Sequence, residues 1–173
     1  MTMISATTMA QNKFSKEAFV SQNGDTLLYR QLQPKSIDTS TKYPLVLFLH
    51  GAGERGNDNQ AQLQHGANMF TNPVNQDKYP TFALFPQCPT NSFWAPINSE
   101  GAKDESFFPY NDPMPATLEA VKELLDTFID NNPIDPNRIY IMGLSMGGMG
   151  TFDMVCRYPQ LFAAAIPICG GIN

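Results

Sequence analysis

The sequence lacks features on which whole classes of protein depend. No apolar run approaches the roughly 20 residues of a transmembrane helix, and the N-terminus has no apolar core of a secretory signal. Lys and Arg number 11 against 16 Asp and Glu, so the basic excess of a nucleic-acid-binding protein is absent. These absences predict a soluble protein, cytoplasmic by default, that binds neither nucleic acid nor membrane.

Cysteine and histidine are scarce. The 3 cysteines (Cys88, Cys156 and Cys169) are widely spaced and include no C-x-x-C pair. The sequence therefore predicts free thiols and no zinc site. The 2 histidines, His50 and His65, both precede every motif of the second half of the chain. No motif implies a metal ion or a cofactor.

The composition is that of a globular protein. The chain has 173 residues, 42% of them hydrophobic and 16% charged, which predicts a single domain with a substantial core. Residues 1–12 are polar without a useful period, and Met1-Thr2-Met3-Ile4 resembles the leader of a cloning-vector fusion. We expect a disordered tail or added leader over residues 1–12 and the domain over residues 13–173.

Strand-like runs recur along the chain. Asn23-Gly24, between the runs Glu17–Gln22 and Asp25–Leu32, predicts an antiparallel hairpin. Four later apolar runs have the form of strands buried on both faces: Leu45–Leu49, Thr81–Phe85, Ile139–Met142 and Phe162–Ile168.

Two segments have helical character. Thr117–Asp130 is apolar with a helical period, and Ser145–Tyr158 is expected to follow it as a helix with Met149, Phe152 and Val155 facing the sheet. The alternation of strands and helices predicts an α/β fold with a mainly parallel sheet and an antiparallel N-terminal hairpin.

The strongest chemical motif is Gly143-Leu144-Ser145-Met146-Gly147, a G-x-S-x-G pentapeptide between a predicted strand and a predicted helix. This context is typical of a nucleophile elbow, in which a sharp turn lifts the serine hydroxyl clear of the sheet. Ser145 is therefore the candidate nucleophile for hydrolysis of an ester or related acyl bond. The alternative is a glycine-rich turn with an idle serine.

A second motif, His50-Gly51-Ala52-Gly53-Glu54-Arg55-Gly56, follows the strand Leu45–Leu49. Ligands in open α/β sheets bind at the carboxyl ends of the strands, so this loop and Ser145 are expected to share one crevice. The amides of Ala52 or Gly53, with that of Met146, are the candidate oxyanion hole. The alternative is a simple tight turn after a strand.

Together with Gln62-Leu63-Gln64-His65-Gly66 and Pro86-Gln87-Cys88-Pro89, these motifs resemble the α/β-hydrolase superfamily. The resemblance is to the esterases related to polyhydroxybutyrate depolymerases and to feruloyl and acetyl-xylan esterases. It implies a three-layer sandwich and activity on short acyl or aryl esters. Members continue with further strands and helices that supply the acid and the histidine of the triad, so the chain resembles a C-terminally truncated member.

The catalytic base is the open question, because no histidine follows Ser145. His65 or His50 could act as the base if it approached Ser145 with a carboxylate orienting its ring. The resemblance gives both histidines structural positions and leaves a missing triad as the alternative. The acids considered as orienting groups are Glu54, Asp58 and Asp153, of which Asp153 is expected to be an ordinary helix residue.

Two other groups have two interpretations each. Glu54 and Arg55 either clamp their glycine-rich loop to a neighbouring strand or help to bind a polar substrate group. Trp94 could bind substrate in an aromatic wall or pack in the core, and the same choice applies to Phe93, Phe107 and Phe108.

We therefore expect a serine carboxylesterase with a small-molecule ester substrate. The alternatives are a catalytically silent fragment or binding module, and a serine peptidase-like acyl hydrolase. The strand Phe162–Ile168 would form an unprotected edge, which predicts a homodimer or completion by another chain.

Overall fold

An antiparallel hairpin opens the part of the chain that the structure describes. The computed structural model describes residues 13–97 and 112–171, so the predicted tail and the Phe107-Phe108 pair lie outside the described residues. Strands β1 (Ser15–Val20) and β2 (Thr26–Leu32) pair antiparallel, as Asn23-Gly24 predicted. Gly24 adopts φ +86° between them, a conformation that glycine tolerates best.

Four further strands complete a 6-stranded sheet in the order β1-β2-β4-β3-β5-β6. They are β3 (Tyr43–Leu49), β4 (Phe82–Pro86), β5 (Ile134–Leu144) and β6 (Ala164–Ile168). β2 pairs antiparallel with β4, whereas β3 pairs parallel with β4 and β5, and β5 with β6. The mainly parallel sheet with an antiparallel start is confirmed, and it directs the carboxyl ends of β3, β5 and β6 to one edge.

Four α-helices lie in the described ranges: α1 (Ala67–Thr71), α2 (Pro73–Lys78), α3 (Ala116–Asn131) and α4 (Met146–Arg157). Short 3-10 turns at Ala52–Glu54 and Ala61–Leu63 lie between β3 and α1. α3 buries the predicted apolar face, including Leu118, Val121, Leu124 and Leu125.

The strand β3 divides the core into two layers. Its residues Leu45, Leu47 and Leu49 pack in one cluster with side chains of α3 and α4. Phe48 points to the opposite face and packs in a second cluster with residues of α1 and β4. This alternation along a parallel strand gives the three-layer α/β arrangement that the resemblance implied.

Two sequence-based expectations are wrong in detail. The strand predicted over Phe162–Ile168 begins at Ala164, and most of its residues are exposed rather than buried. The buried face of α4 carries its glycines, Thr151 and Met154, whereas Met149, Phe152 and Val155 are only half-buried. Glycine allows the backbone of α4 to approach the sheet closely, and Met146, Met154 and the predicted Val155 pack against the core beside the glycines.

Among the described residues, no helix has the length and apolar content needed to cross a membrane. All three cysteines are free thiols, as predicted.

The thiols should differ sharply in reactivity. Cys88 is fully buried, and burial raises the pKa of its thiol to about 12, whereas Cys156 and Cys169 are exposed. Because the thiolate is the reactive form, iodoacetamide at pH 8 should label Cys156 and Cys169 in the native protein and Cys88 only after unfolding. Intact-mass analysis counts the adducts. Native labelling of Cys88 at the rate of Cys156 would contradict the packing described above.

Candidate active site

Ser145 lies in the turn that joins β5 to α4, directly after Leu144 and before Met146. Its backbone has φ +54° and ψ −112°, a conformation that a non-glycine residue adopts at a cost of about 1–3 kcal/mol. Ser145 is exposed, and its amide donates to Ile168 O at 2.7 Å. The turn thus presents the hydroxyl group to solvent at the carboxyl edge of the sheet and at the N-terminus of a helix.

The glycines around Ser145 are required by close backbone contacts. A Cβ atom on Gly143 would overlap the carbonyl group of Gly147 and lie 2.7 Å from Thr151 Oγ1. A Cβ atom on Gly147 would overlap Leu49 O and lie 2.8 Å from His50 O. The pentapeptide therefore fixes the first turn of α4 against the end of β3.

The second motif lies beside Ser145, at the end of β3. A Cβ atom on Gly51 would lie 3.8 Å from Ser145 Cβ and 3.5 Å from Leu144 O. Ala52 and Gly53 follow in the 3-10 turn, and Met146 is the first residue of α4. Amides at the start of a helical turn have no partner within that turn, so they are free to bind an anion.

Both ring nitrogens of His50 are occupied inside the protein. Cys88 N donates to His50 Nε2 at 2.9 Å, which makes Nδ1 the protonated nitrogen, 2.6 Å from Gly51 O. Burial lowers the pKa of His50, so the ring stays neutral. Because the C=O and N–H of a peptide unit point in opposite directions, this bond turns the amide of Ala52 away from His50.

His65 has a different environment. It lies just before α1, its side chain is 54% exposed, and its Nε2 is 3.6 Å from Glu54 Oε1. Of the three acids considered at the sequence level, Glu54 is the one that meets a histidine. Asp153 pairs with Arg157 within α4 at 2.7 Å, and Asp58 accepts from Gln87 and from the amides of Gln60 and Ala61.

Arg55 and Trp94 hold the loop in place. Arg55 donates to the carbonyl groups of Ala52 at 3.1 Å and of Thr90 and Ser92 at 3.3 Å, so it holds the loop to the segment after β4 and not to a neighbouring strand as predicted. Trp94 is fully buried, and its Nε1 donates to His50 O at 3.0 Å. Trp94 thus lies in the core, the second of its two interpretations, and not at the crevice surface.

Sequence reasoning missed Gln87 as a support of the loop. Its side chain accepts from Asn59 N at 2.7 Å and donates to Glu54 O at 3.2 Å and Asp58 Oδ1 at 2.8 Å. Gln87 belongs to the Pro86–Pro89 turn, whose sequence predicts no role for this side chain. Only the fold brings it to residues about 30 positions earlier in the chain.

The segment after β6 also supports Ser145. A Cβ atom on Gly148 would lie 2.8 Å from the Cα atom of Gly170, and one on Gly170 would lie 2.7 Å from Met149 N. The two glycines are therefore in direct backbone contact beside the Ser145 N to Ile168 O hydrogen bond.

Replacement of Gly170 by alanine should separate the first turn of α4 from β6 and weaken the hydrogen bond of the Ser145 amide. Hydrogen exchange of the peptide that carries Ser145 should then become about tenfold faster or more, since that amide loses its acceptor. Ala165→Ser, on the exposed part of β6, is the matched control and should leave the exchange unchanged. Equal protection in Gly170→Ala and wild type would contradict the contact.

The comparisons with known proteins agree with this architecture. Residues 112–173 match the model of the prolyl oligopeptidase family. The chain is 29% identical over 133 residues to a poly(3-hydroxyalkanoate) depolymerase C of Paucimonas lemoignei, covering 74% of this chain and 28% of that protein. It is similar to a solved thermostable esterase with a TM-score of 0.83 and 43% identity, covering 95% of this chain and 43% of the esterase.

A solved ferulic acid esterase, at 20% identity and a TM-score of 0.63, shares the fold over 88% of this chain and 58% of its own length. The chain therefore spans less than two thirds of each of these proteins. The comparisons confirm the resemblance to the esterase group of the α/β-hydrolases.

Proposed function

We propose that this chain, which is similar to the esterase group of the α/β-hydrolases, contributes the nucleophile of a serine carboxylesterase that cleaves short acyl or aryl esters. The observation that carries the proposal is the position of Ser145. It is exposed at a strand-to-helix turn with φ +54°, and a glycine loop from a neighbouring parallel strand lies beside it. This is the context of a nucleophile elbow.

The chemistry is a two-step acyl transfer. Ser145 Oγ attacks the ester carbonyl carbon, and the alcohol leaves with a proton from the protonated base. Water then attacks the acyl-enzyme, releases the acid and restores Ser145. The oxyanion formed in each step accepts hydrogen bonds from the amides of Met146 and of Ala52 or Gly53, the first of which starts the α4 helix.

Among the described residues, we assign the base to His65. The ring of His50 is neutral with both nitrogens engaged, so it lacks a free acceptor for the proton of Ser145. The ring of His65 is exposed, and Glu54 lies 3.6 Å away where it can stabilise an imidazolium ion.

Esters are favoured over peptides as substrates. The solved protein that shares 43% identity with this chain is an esterase, and the depolymerase relative is named for a polyester. The match to the prolyl oligopeptidase family supports peptidase-like acyl hydrolysis as the second candidate. Matched ester and anilide substrates with the same acyl group distinguish the two, since a carboxylesterase cleaves the ester alone.

The proposal is tested by intact-mass analysis after reaction with a fluorophosphonate. Wild type should gain one adduct per chain, and Ser145→Ala should gain none. His65→Gln should label about a hundredfold more slowly if His65 is the base. Unchanged labelling of His65→Gln would assign the base to another segment or chain. No labelling of wild type would reject the esterase and favour a silent binding module.

A second proposal concerns the outer edge of β6. Ile166 and Ile168 are 54% and 38% exposed on this strand, and an apolar edge strand readily pairs with another strand. We propose that β6 pairs with β6 of a second copy to form a homodimer.

Light scattering after gel filtration should give twice the mass of the chain, and Ile166→Lys should reduce the measured mass to that of one chain. A monomer at all concentrations, or a dimer that Ile166→Lys leaves intact, refutes this pairing; an unrelated partner polypeptide would then be sought.

A further inference from the structure

The carboxylate of Glu54 lies near Ser145, on the other side of Gly51. A Cβ atom on Gly51 would lie 3.0 Å from Glu54 Oε2 and 3.8 Å from Ser145 Cβ, so carboxylate and serine flank the same point. The Glu54 side chain is only 14% exposed. Its charge is therefore held within the site and is not dispersed into bulk water.

The cationic side chain of Arg55 and the ring of His65 lie nearby, but neither donates a hydrogen bond to the carboxylate of Glu54. The guanidinium group of Arg55 is engaged by the carbonyl groups of Ala52, Thr90 and Ser92, and it lies 4.7 Å from the centre of the Phe93 ring. His65 approaches Oε1 at 3.6 Å, beyond hydrogen-bond distance. Within residues 13–97 and 112–171, no side chain or amide donates a hydrogen bond to Oε2 of Glu54.

A carboxylate in this position has a cost for ester hydrolysis, because its negative charge repels the oxyanion that forms at Ser145. The cost is offset when the carboxylate binds a donor on the substrate. Hydrogen bonds to an ionised acceptor are about twice as strong as those between neutral groups. The two oxygens can then act separately, with Oε1 facing His65 and Oε2 facing the substrate.

We propose that Glu54 determines substrate specificity, and that its Oε2 accepts a hydrogen bond from a hydroxyl or ammonium group next to the scissile ester. The inference rests on the proposed esterase function. The preferred substrates are esters with such a donor in the acyl or alcohol part, and plain alkyl esters are poorer substrates. Glu54 thus has two roles: its Oε1 lies near His65, and its Oε2 selects the substrate.

The test compares kcat/KM for esters that differ by one group. Methyl butanoate is paired with methyl 3-hydroxybutanoate and with methyl 3-aminobutanoate, and ethyl acetate is paired with 2-hydroxyethyl acetate. Wild type should prefer the donor-bearing ester in at least one pair by about tenfold or more. Glu54→Met should bring that ratio close to one, and Glu54→Gln should leave an intermediate ratio. Glu119→Gln, which removes an exposed acid of α3, should keep the wild-type ratio.

Two other outcomes have distinct meanings. If Glu54 only orients His65, the substitutions lower kcat/KM equally for both members of a pair, and the unchanged ratio overturns this inference while the esterase function stands. If wild type neither hydrolyses esters nor labels at Ser145, the esterase function fails. NMR titration of the same esters then decides the inference: tighter binding of the donor-bearing ester, lost in Glu54→Met, supports it, and equal binding overturns it.

Discussion

Gly147→Ala should destabilise the fold by about 3 kcal/mol or more, because the added methyl group meets backbone and not a movable side chain. It would overlap Leu49 O at the end of β3 and lie 2.8 Å from His50 O. The first turn of α4 would have to move away from the sheet and would carry Ser145 with it. Denaturant unfolding followed by circular dichroism should show the lost stability, and fluorophosphonate labelling should slow by about a hundredfold.

Gly53→Ala is the matched control for stability. A Cβ atom on Gly53 meets no heavy atom within 4 Å, so this change should alter the free energy of unfolding by less than about 0.5 kcal/mol. If both variants were equally stable, the backbone contact between α4 and β3 would not be as close as described.

The second large effect is expected from His50→Ala. Its removal leaves the buried Cys88 N without its acceptor, leaves Gly51 O with the amide of Glu54 at 3.3 Å, and opens a cavity beside Trp94, whose ring centre lies 5.2 Å from that of His50. Each buried group left without a partner costs about 1–3 kcal/mol. The peptide unit between Gly51 and Ala52 also loses its fixed orientation, so labelling of Ser145 should fall by about a hundredfold.

The pH dependence of stability identifies the role of His50. Burial lowers its pKa in the folded protein, so the unfolded chain takes up a proton at a higher pH than the folded chain does. Stability should therefore be full above about pH 6.5 and fall as the pH drops below it towards the lowered pKa. Denaturant titrations at pH 7.5, 6.5 and 5.5 measure this slope.

Two variants make the pH test specific. His50→Asn, which keeps a donor for Gly51 O, should show a weaker slope below pH 6.5 than wild type. His65→Asn, which replaces the other histidine of the chain, is the matched control. A His50→Asn protein with the full wild-type slope would mean that another group takes up the proton.

Local patterns were sufficient for much of the fold. The Asn23-Gly24 hairpin, the apolar strands β3 and β4 and the helix α3 occur where turn chemistry and hydrophobic period predicted them. Turn chemistry and hydrophobic period depend on residues that are adjacent in the sequence, so they can be recognised without the tertiary structure. The same kind of signal predicts a buried strand at β6, but burial depends on what covers a strand, and Ile166 is exposed.

Most contacts within the candidate site could not be predicted from the sequence. The motif predicted a serine between strand and helix, and Ser145 lies there with its positive φ angle. No local pattern indicated that His50 would bond to Cys88, which of the three candidate acids would approach His65, or that Gly170 would contact Gly148. Each of these contacts joins segments that are distant in the chain.

The sequence by itself determined the class of fold, the serine at the turn and the glycines beside it, because backbone propensity and hydrophobic period are properties of short segments. The tertiary structure alone decided which histidine is buried and neutral, which carboxylate lies near Ser145, and what holds Ser145 in place. The physical reason is that burial, hydrogen-bond partners and charge environment are set by the parallel strands, whose carboxyl ends bring residues from β3, β5 and β6 to one edge of the sheet.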